Sequence, residues 1–441
     1  MINIIRLLRV INNQAKLFIA FFATLVMAFG NVDAQTFSEH FCDSTLRLDY
    51  IFAGDVFQQH IYVDNLNVMP RWWGKRQRLD KIPMEGNGQI IVRDHHSQKT
   101  IYRNSFSTLF QEWLTYDEAK TNRRSFENVF LVPMPRDTVD VCVRLMNNRR
   151  EIMTEYTHQV VPADILMRRI GFHDVTPFIT LQQAADTSRC IHIAYVAEGY
   201  TSEEMSHFIE DSRVAMEALF SHEPFKSLRP KFHIVAVMSP SAESGTSEPS
   251  KGIWKNTALH SHFDTFYSER YLTTLHLKDL HDWLAGVPYE HIIVLVNTDN
   301  YGGGGILNSY NLSMTKHPQF LPVVVHEFGH SFAGLADEYA YESEPIPMYP
   351  ADIEPWEQNI TTNVDFDSKW KDLLSSPKMP IPTPDVKKYE GKIGLFEGAG
   401  YSLHGVYRPT HDCRMRTNEH PDFCPVCQRA IQQVIDFYTN E

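Results

Sequence analysis

The stretch PVVVHEFGHSFAGLADEY, Pro322–Tyr339, sets two histidines four apart, a glutamate after the first, then a glycine and an acidic pair. On an α-helix residues i and i+4 share a face, so His326 and His330 point the same way. Two imidazoles at that spacing take two corners of a zinc tetrahedron and leave a corner for water. Glu327, the next residue round the helix, then reaches that water as a general base. The rival reading is an ordinary surface helix with scattered histidines. Val323, Val324 and Val325 argue against it, because three β-branched residues suit a buried helix better than an exposed one. Burying two histidines and a glutamate costs desolvation energy, which a bound metal offsets.

The third ligand is sought just beyond the helix. The stretch resembles the metzincin-type zinc peptidases, whose helix ends at a glycine with a third ligand three residues later. Ala333 stands at the usual glycine place and Gly334 follows one residue late, with Asp337 three beyond it. Glycine suits that spot because a left-handed turn lets the chain leave the helix and swing back beneath a metal. Asp337 is therefore the expected third ligand, with Glu338 in reserve. A glutamate from a separate downstream helix is the other plan, but YESEPIPMYPADIEPW, residues 341–356, is too proline-rich for one.

Upstream, IHIAYVAEGY (191–200), KFHIVAVMSP (231–240) and HIIVLVNT (291–298) read as strands. Helical patterns separate them. One begins at a capping box of Thr201 and Glu204; the other is ERYLTTLHLKDLHDWLAG, residues 269–286. Strand, helix, strand, helix, strand implies α/β layering over residues 166–441. Residues 35–165 differ. Short alternating segments such as GQIIVRD (88–94) and TVDVCVRLMN (138–147), broken by turns, imply an all-β sandwich. Trp72 and Trp73 within it read as a packed pair or as a contact for sugar or protein.

The N-terminus holds Arg6, Arg9 and Lys16, then LFIAFFATLVMAFG (17–30) and small residues at Val32 and Ala34. This is the pattern of a secretory signal peptide over residues 1–34, cleaved after Ala34, so an exported protein, periplasmic or secreted, is expected. The apolar run is short for a membrane span and no second one follows, so no stable membrane insertion is expected after cleavage. The 441 residues carry a net charge of −13. An acidic balance argues against nucleic acid as a partner. No feature points to an oligomeric state.

Several further stretches bear on the same site. DCRMRT, residues 412–417, offers Met415 where metzincins place a methionine turn beneath the metal. NTDNYGGGGILNSYNLSM, residues 297–314, reads either as a flexible loop or as a glycine-led edge strand through Gly303, Gly304 and Gly305. As a strand it would pair with an extended peptide substrate. Together AEGYT (197–201), residues 241–274, residues 289–310, HEFGHSFAGLADEY (326–339) and the CRMR and FCPVC pieces near the C-terminus resemble the IgA-peptidase family of bacterial zinc metallopeptidases. The resemblance covers roughly Ile191 to the C-terminus, and the preceding sandwich is similar to that family's N-terminal domain.

The resemblance implies a metzincin-like catalytic domain and endopeptidase action on protein substrates. The family takes its name from members that cut immunoglobulin A. It implies zinc on His326, His330 and Asp337, with Glu327 as the base. Some metzincins place a tyrosine two residues past the turn methionine; here that residue is Thr417, so Tyr339, Tyr401 and His404 stand as candidate oxyanion donors. The contrasting reading is a surface glycan- or protein-binding module with a vestigial zinc site. Cys413, Cys424 and Cys427 suggest a disulfide from Cys413 to Cys424 or Cys427, favoured by export. The alternative is a structural zinc site completed by His411 or His420. A Cys42–Cys142 pair is a further expectation, and acidic groups in NTDN (297–300) and HFDTFYSER (262–270) offer calcium ligands against a default of solvated loop.

Overall fold

The computed structural model describes residues 36–341 and 349–440. The expected signal peptide lies outside the described residues. Eight strands form the N-terminal part: β1 (Phe41–Gly54), β2 (Gln59–Met69), β3 (Gly88–Asp94), β4 (Thr100–Phe106), β5 (Arg124–Pro135), β6 (Val139–Met146), β7 (Ile152–Val160) and β8 (Arg168–Arg169). They make two four-stranded sheets, ordered β5-β1-β2-β8 and β4-β3-β6-β7. Every pairing is antiparallel except β2 with the short β8. Alternation along each strand turns aromatic residues inward, where Phe106 and Phe130 meet at 4.2 Å between ring centroids and Phe52 joins them. Tyr50 Oη lies 2.6 Å from His158 Nε2, linking β1 of one sheet to β7 of the other. Trp72 is buried with its indole N–H on the Lys75 carbonyl, and Trp73 packs on His192 at 5.0 Å. The pair is packed at the junction with the next domain.

The second part is built on a six-stranded mixed sheet of β9 (Phe178–Gln182), β10 (Ile191–Glu198), β11 (Phe232–Val237), β12 (His291–Val296), β13 (Gly303–Ile306) and β14 (Tyr310–Met314). The order is β13-β14-β12-β10-β11-β9. The four middle strands run parallel and the two outer ones antiparallel to them. Strand β10 is buried on both faces, which explains the unbroken apolar run over residues 193–197. Its alternate residues serve two cores. Ala194 and Val196 pack into the cluster that continues into the sandwich. Ile193, Tyr195 and Ala197 face helices α1 (Met205–Leu219), α3 (Phe320–Ala333) and α4 (Pro425–Thr439).

Helix α2 (Leu277–Trp283) is shorter than the pattern over 269–286 predicts. Residues 271–273 run extended instead. Thr273 exchanges backbone hydrogen bonds with His262, and the Leu272 N–H donates to Gly303. Tertiary pairing overrides helix propensity there, helped by the β-branched Thr273 and Thr274. Buried Arg47 of β1 pairs with Asp49 of its own strand at 2.7 Å and with Asp282 of α2 at 2.5 Å, crossing from the sandwich to the α/β domain. A late hairpin, β15 (Phe396–Ala399) and β16 (Ser402–Arg408), completes the fold. No described residue of the proline-rich stretch 341–356 is helical. Among the described residues no helix is long and apolar enough to cross a membrane.

Candidate active site

Helix α3 carries the site. Its buried side is Val323, Val324, Val325, Phe328 and Phe332, and Pro322 sits in the first turn, where a missing N–H leaves no intrahelical bond unmade. Gly334 ends the helix at φ +57°. Its N–H donates to the His330 carbonyl and that of Leu335 to Gly329. A side chain at Gly334 would also meet the Trp356 ring, at 2.6 Å from a Cβ. The reversal brings Asp337 back under the helix. His326 Nε2 lies 3.0 Å from Asp337 Oδ1 and 3.0 Å from His330 Nε2, and His330 Nε2 lies 3.3 Å from the same Asp337 oxygen. The three donors converge and their side chains are 12%, 17% and 7% exposed for His326, His330 and Asp337.

The other edge of each ligand is held. The Nδ1 of His326 is 2.9 Å from the Arg414 carbonyl and that of His330 is 2.5 Å from the Leu335 carbonyl, which leaves both Nε2 atoms for the centre. The Tyr401 hydroxyl donates to Asp337 Oδ2, and the Gly400 N–H donates to the Asp337 carbonyl at 2.9 Å. Asn359 clamps the same segment, bonding the Ala336 N–H and carbonyl at 2.8 Å each. Met415 is fully buried, with its Sδ 2.7 Å from where a Cβ on Gly329 would stand. The methionine thus lies directly against α3 between its two histidines.

Burial acts to lower the His330 pKa, yet the Asp337 carboxylate outweighs it and pushes the imidazole up to about 9. Burial likewise works to raise Asp337, but the two imidazoles hold it well below the usual carboxylate range. The cluster therefore favours positive charge at its centre. Glu327 is raised by burial, against the pull of both histidines. Two imidazole nitrogens and one carboxylate oxygen are a donor set suited to a catalytic divalent metal with an open position.

The glycine-rich stretch is a strand, β13, at the sheet edge. A Cβ at Gly303 would stand 2.7 Å from Glu327 Oε1, and one at Gly305 would stand 2.4 Å from the Glu327 carbonyl. The glycines let β13 lie flat on α3 beside the base. Its outer rim is not bare, however: Leu272 already bonds Gly303, and a Cβ at Gly304 would meet the Tyr271 ring at 2.8 Å. The substrate pairing expected along this rim has to share it with residues 271–272.

Other expected site residues fall elsewhere. His404 is 86% exposed beside Glu397 and is not among the donors that converge, and Thr417 bonds Asp412. Tyr339 packs edge-on against Tyr401 at 5.5 Å. The expected disulfides are not formed: all six cysteines are free, and the Cys413 and Cys427 sulfurs stand 3.8 Å apart, far beyond a bonded separation of about 2 Å. His411 pairs with Asp385 and His420 with the Asp422 carbonyl, so neither joins the cysteines; the fourth donor beside them is Glu338. Glu338 is thus drawn away from the His326–His330 centre. Asp264, Glu269 and Asp299 belong to none of the metal-sized groupings among the described residues. Sequence reasoning missed Asn359, the Arg414 carbonyl and Glu112. Glu112 accepts from Tyr271 at 2.6 Å and is pushed up to about 7 by burial, within the field of His330 and Glu327.

The family model described as IgA Peptidase M64 matches residues 179–391 and 385–435, and that described as Peptidase M64 N-terminus matches residues 36–157. The chain belongs to the M64 peptidase family. It is accordingly a metallopeptidase, with the family's N-terminal β domain ahead of its α/β catalytic domain. Among curated proteins no relative matches. One similar solved structure is metalloproteinase-II from Bacteroides fragilis, at 12% identity and a TM-score of 0.20, covering 52% of this chain and 70% of that one, a likeness too remote to bear on function. Within the M64 match lie His326, Glu327, His330 and Asp337 together.

Proposed function

We propose that this M64 member is an exported zinc endopeptidase of metzincin-like plan that hydrolyses peptide bonds in secreted or host proteins. The observation that carries the reading is the convergence of His326 Nε2, His330 Nε2 and Asp337 Oδ1 beside Glu327 on one helix turn and the bend after it. A zinc ion held by those atoms would supply a Lewis acid and a water of lowered pKa. Glu327 takes the proton of the attacking water and passes it to the leaving amine. Its raised pKa suits a group that must hold that proton between the two steps. His326 and His330 keep their orientation through the Arg414 and Leu335 carbonyls, and Tyr401 keeps Asp337 turned inward. Met415 and Gly329 set the floor beneath them.

The test is cleavage of an unfolded protein substrate, with metal content measured on the same samples. The wild-type chain is expected to cut, chelator to stop it and zinc to restore it. Glu327→Gln is expected to keep its zinc while kcat falls by about 10²–10⁴-fold. A Glu327→Gln protein cutting at the wild-type rate would overturn the assignment of the base.

A further inference from the structure

Glu338 and three cysteines form a second cluster beyond Asp337. Glu338, Cys413 and Cys427 are fully buried and Cys424 is 3% exposed. One ligand atom from each lies within 4.8 Å of all the others. The Cys427 thiol is 3.0 Å from Glu338 Oε1 and 3.8 Å from Cys413 Sγ. Backbone N–H groups already point at the sulfurs, Cys424 to Cys413 Sγ at 3.1 Å and Cys427 to Cys424 Sγ at 3.5 Å. Such bonds, with Cys424 at the N-cap of the fifteen-residue α4, stabilise thiolates. The second carboxylate oxygen, Glu338 Oε2, is buried without a hydrogen-bond partner. An orphaned acceptor in a closed pocket of three sulfurs is costly unless something binds there.

We propose that Glu338, Cys413, Cys424 and Cys427 hold a second, structural zinc ion, separate from the catalytic centre. Three soft sulfurs and one carboxylate, all buried and with no position open to solvent, match a closed four-coordinate zinc site rather than a calcium or magnesium site. Each thiol gives its proton to solvent as its sulfur takes the metal. The site pins three parts of the chain at once. Glu338 follows the ligand Asp337, and its N–H donates to the Met415 carbonyl at 2.8 Å. Cys413 stands two residues before Met415, and Cys424 and Cys427 open α4. The ion thereby ties the catalytic carboxylate, the methionine turn and the terminal helix into one unit. This inference does not depend on the catalytic reading.

The experiment is cobalt substitution of the full chain, with metal analysis and thiol counting. Wild type is expected to bind about two metal ions per chain. Its cobalt form is expected to show thiolate-to-cobalt charge-transfer absorption in the near ultraviolet, which two imidazoles and a carboxylate cannot give. His326→Ala/His330→Ala is expected to lose one equivalent and keep that absorption. Cys413→Ser is expected to lose the absorption, and the wild-type spectrum stands as evidence even if this variant fails to fold. After denaturation in chelator without reductant, all six cysteines are expected to alkylate. A cobalt form lacking the charge-transfer band, or a pair among Cys413, Cys424 and Cys427 resistant to alkylation until reduced, would overturn the proposal. Failure of the catalytic reading would look different, with the histidine variant losing no metal.

Discussion

The roles of single residues divide between those that face the centre and those that aim them. Tyr401 belongs to the second kind. Its hydroxyl donates to Asp337 Oδ2, and its φ of +61° at the hairpin turn places the ring there. Tyr401→Phe keeps the ring and removes the bond, so metal affinity is expected to fall by about 10–100-fold with little change in thermal stability. Competition with a chelator measures this directly. An affinity equal to wild type would show that the Gly400 N–H and Asn359 suffice to orient the carboxylate. His326, Glu327 and His330 were legible in sequence because one helix turn relates them. Asp337 was legible because a glycine marks the bend. Tyr401 stood only as a candidate oxyanion donor and Asn359 not at all, since both reach the site from segments whose approach depends on tertiary packing.

At the level of elements, the close approach of β13 to α3 dominates. Gly303→Ala drives a methyl against the Glu327 carboxylate, so kcat is expected to fall while metal content stays near wild type. Gly305→Ala meets backbone instead, 2.4 Å from the Glu327 carbonyl, and the strand has to move. A destabilisation of about 1–3 kcal/mol is expected, read as a lowered Tm. Equal behaviour of the two variants in both assays would contradict the packing argument. The glycines were visible as a strand or a loop, and the structure makes them a strand for a reason that needs the neighbouring helix. The helix expected over 269–286 shows the converse. Only its C-terminal half forms, because residues 271–273 pair with His262 and Gly303, contacts that local periodicity does not encode.

Across the whole molecule, the sandwich is continuous with one face of the catalytic sheet, and a single apolar cluster runs through both. Arg47 is the most deeply buried of the charged contacts that cross that junction beside Lys278, 1% exposed and bonded to Asp49, Asp282 and the Lys278 carbonyl. Arg47→Ala leaves the buried Asp49 without its cationic partner, with only the Asn67 amide still donating to it, so a loss of about 3–5 kcal/mol is expected. Thermal unfolding of the full chain checks this, and an unchanged midpoint would mean that the junction does not depend on the pair. The β part followed by an α/β part was legible from the change of period along the chain. The three sulfurs were legible as one of two readings, but their fourth donor was not, because Glu338 joins them only once Asp337 has claimed the other side of the bend.

Anomalous diffraction at the zinc edge from crystals of the full chain tests the central claim most directly. The account predicts a peak about 2.0–2.2 Å from His326 Nε2, His330 Nε2 and an Asp337 oxygen. No peak at that point, in crystals grown with zinc and with those three side chains ordered, would contradict it.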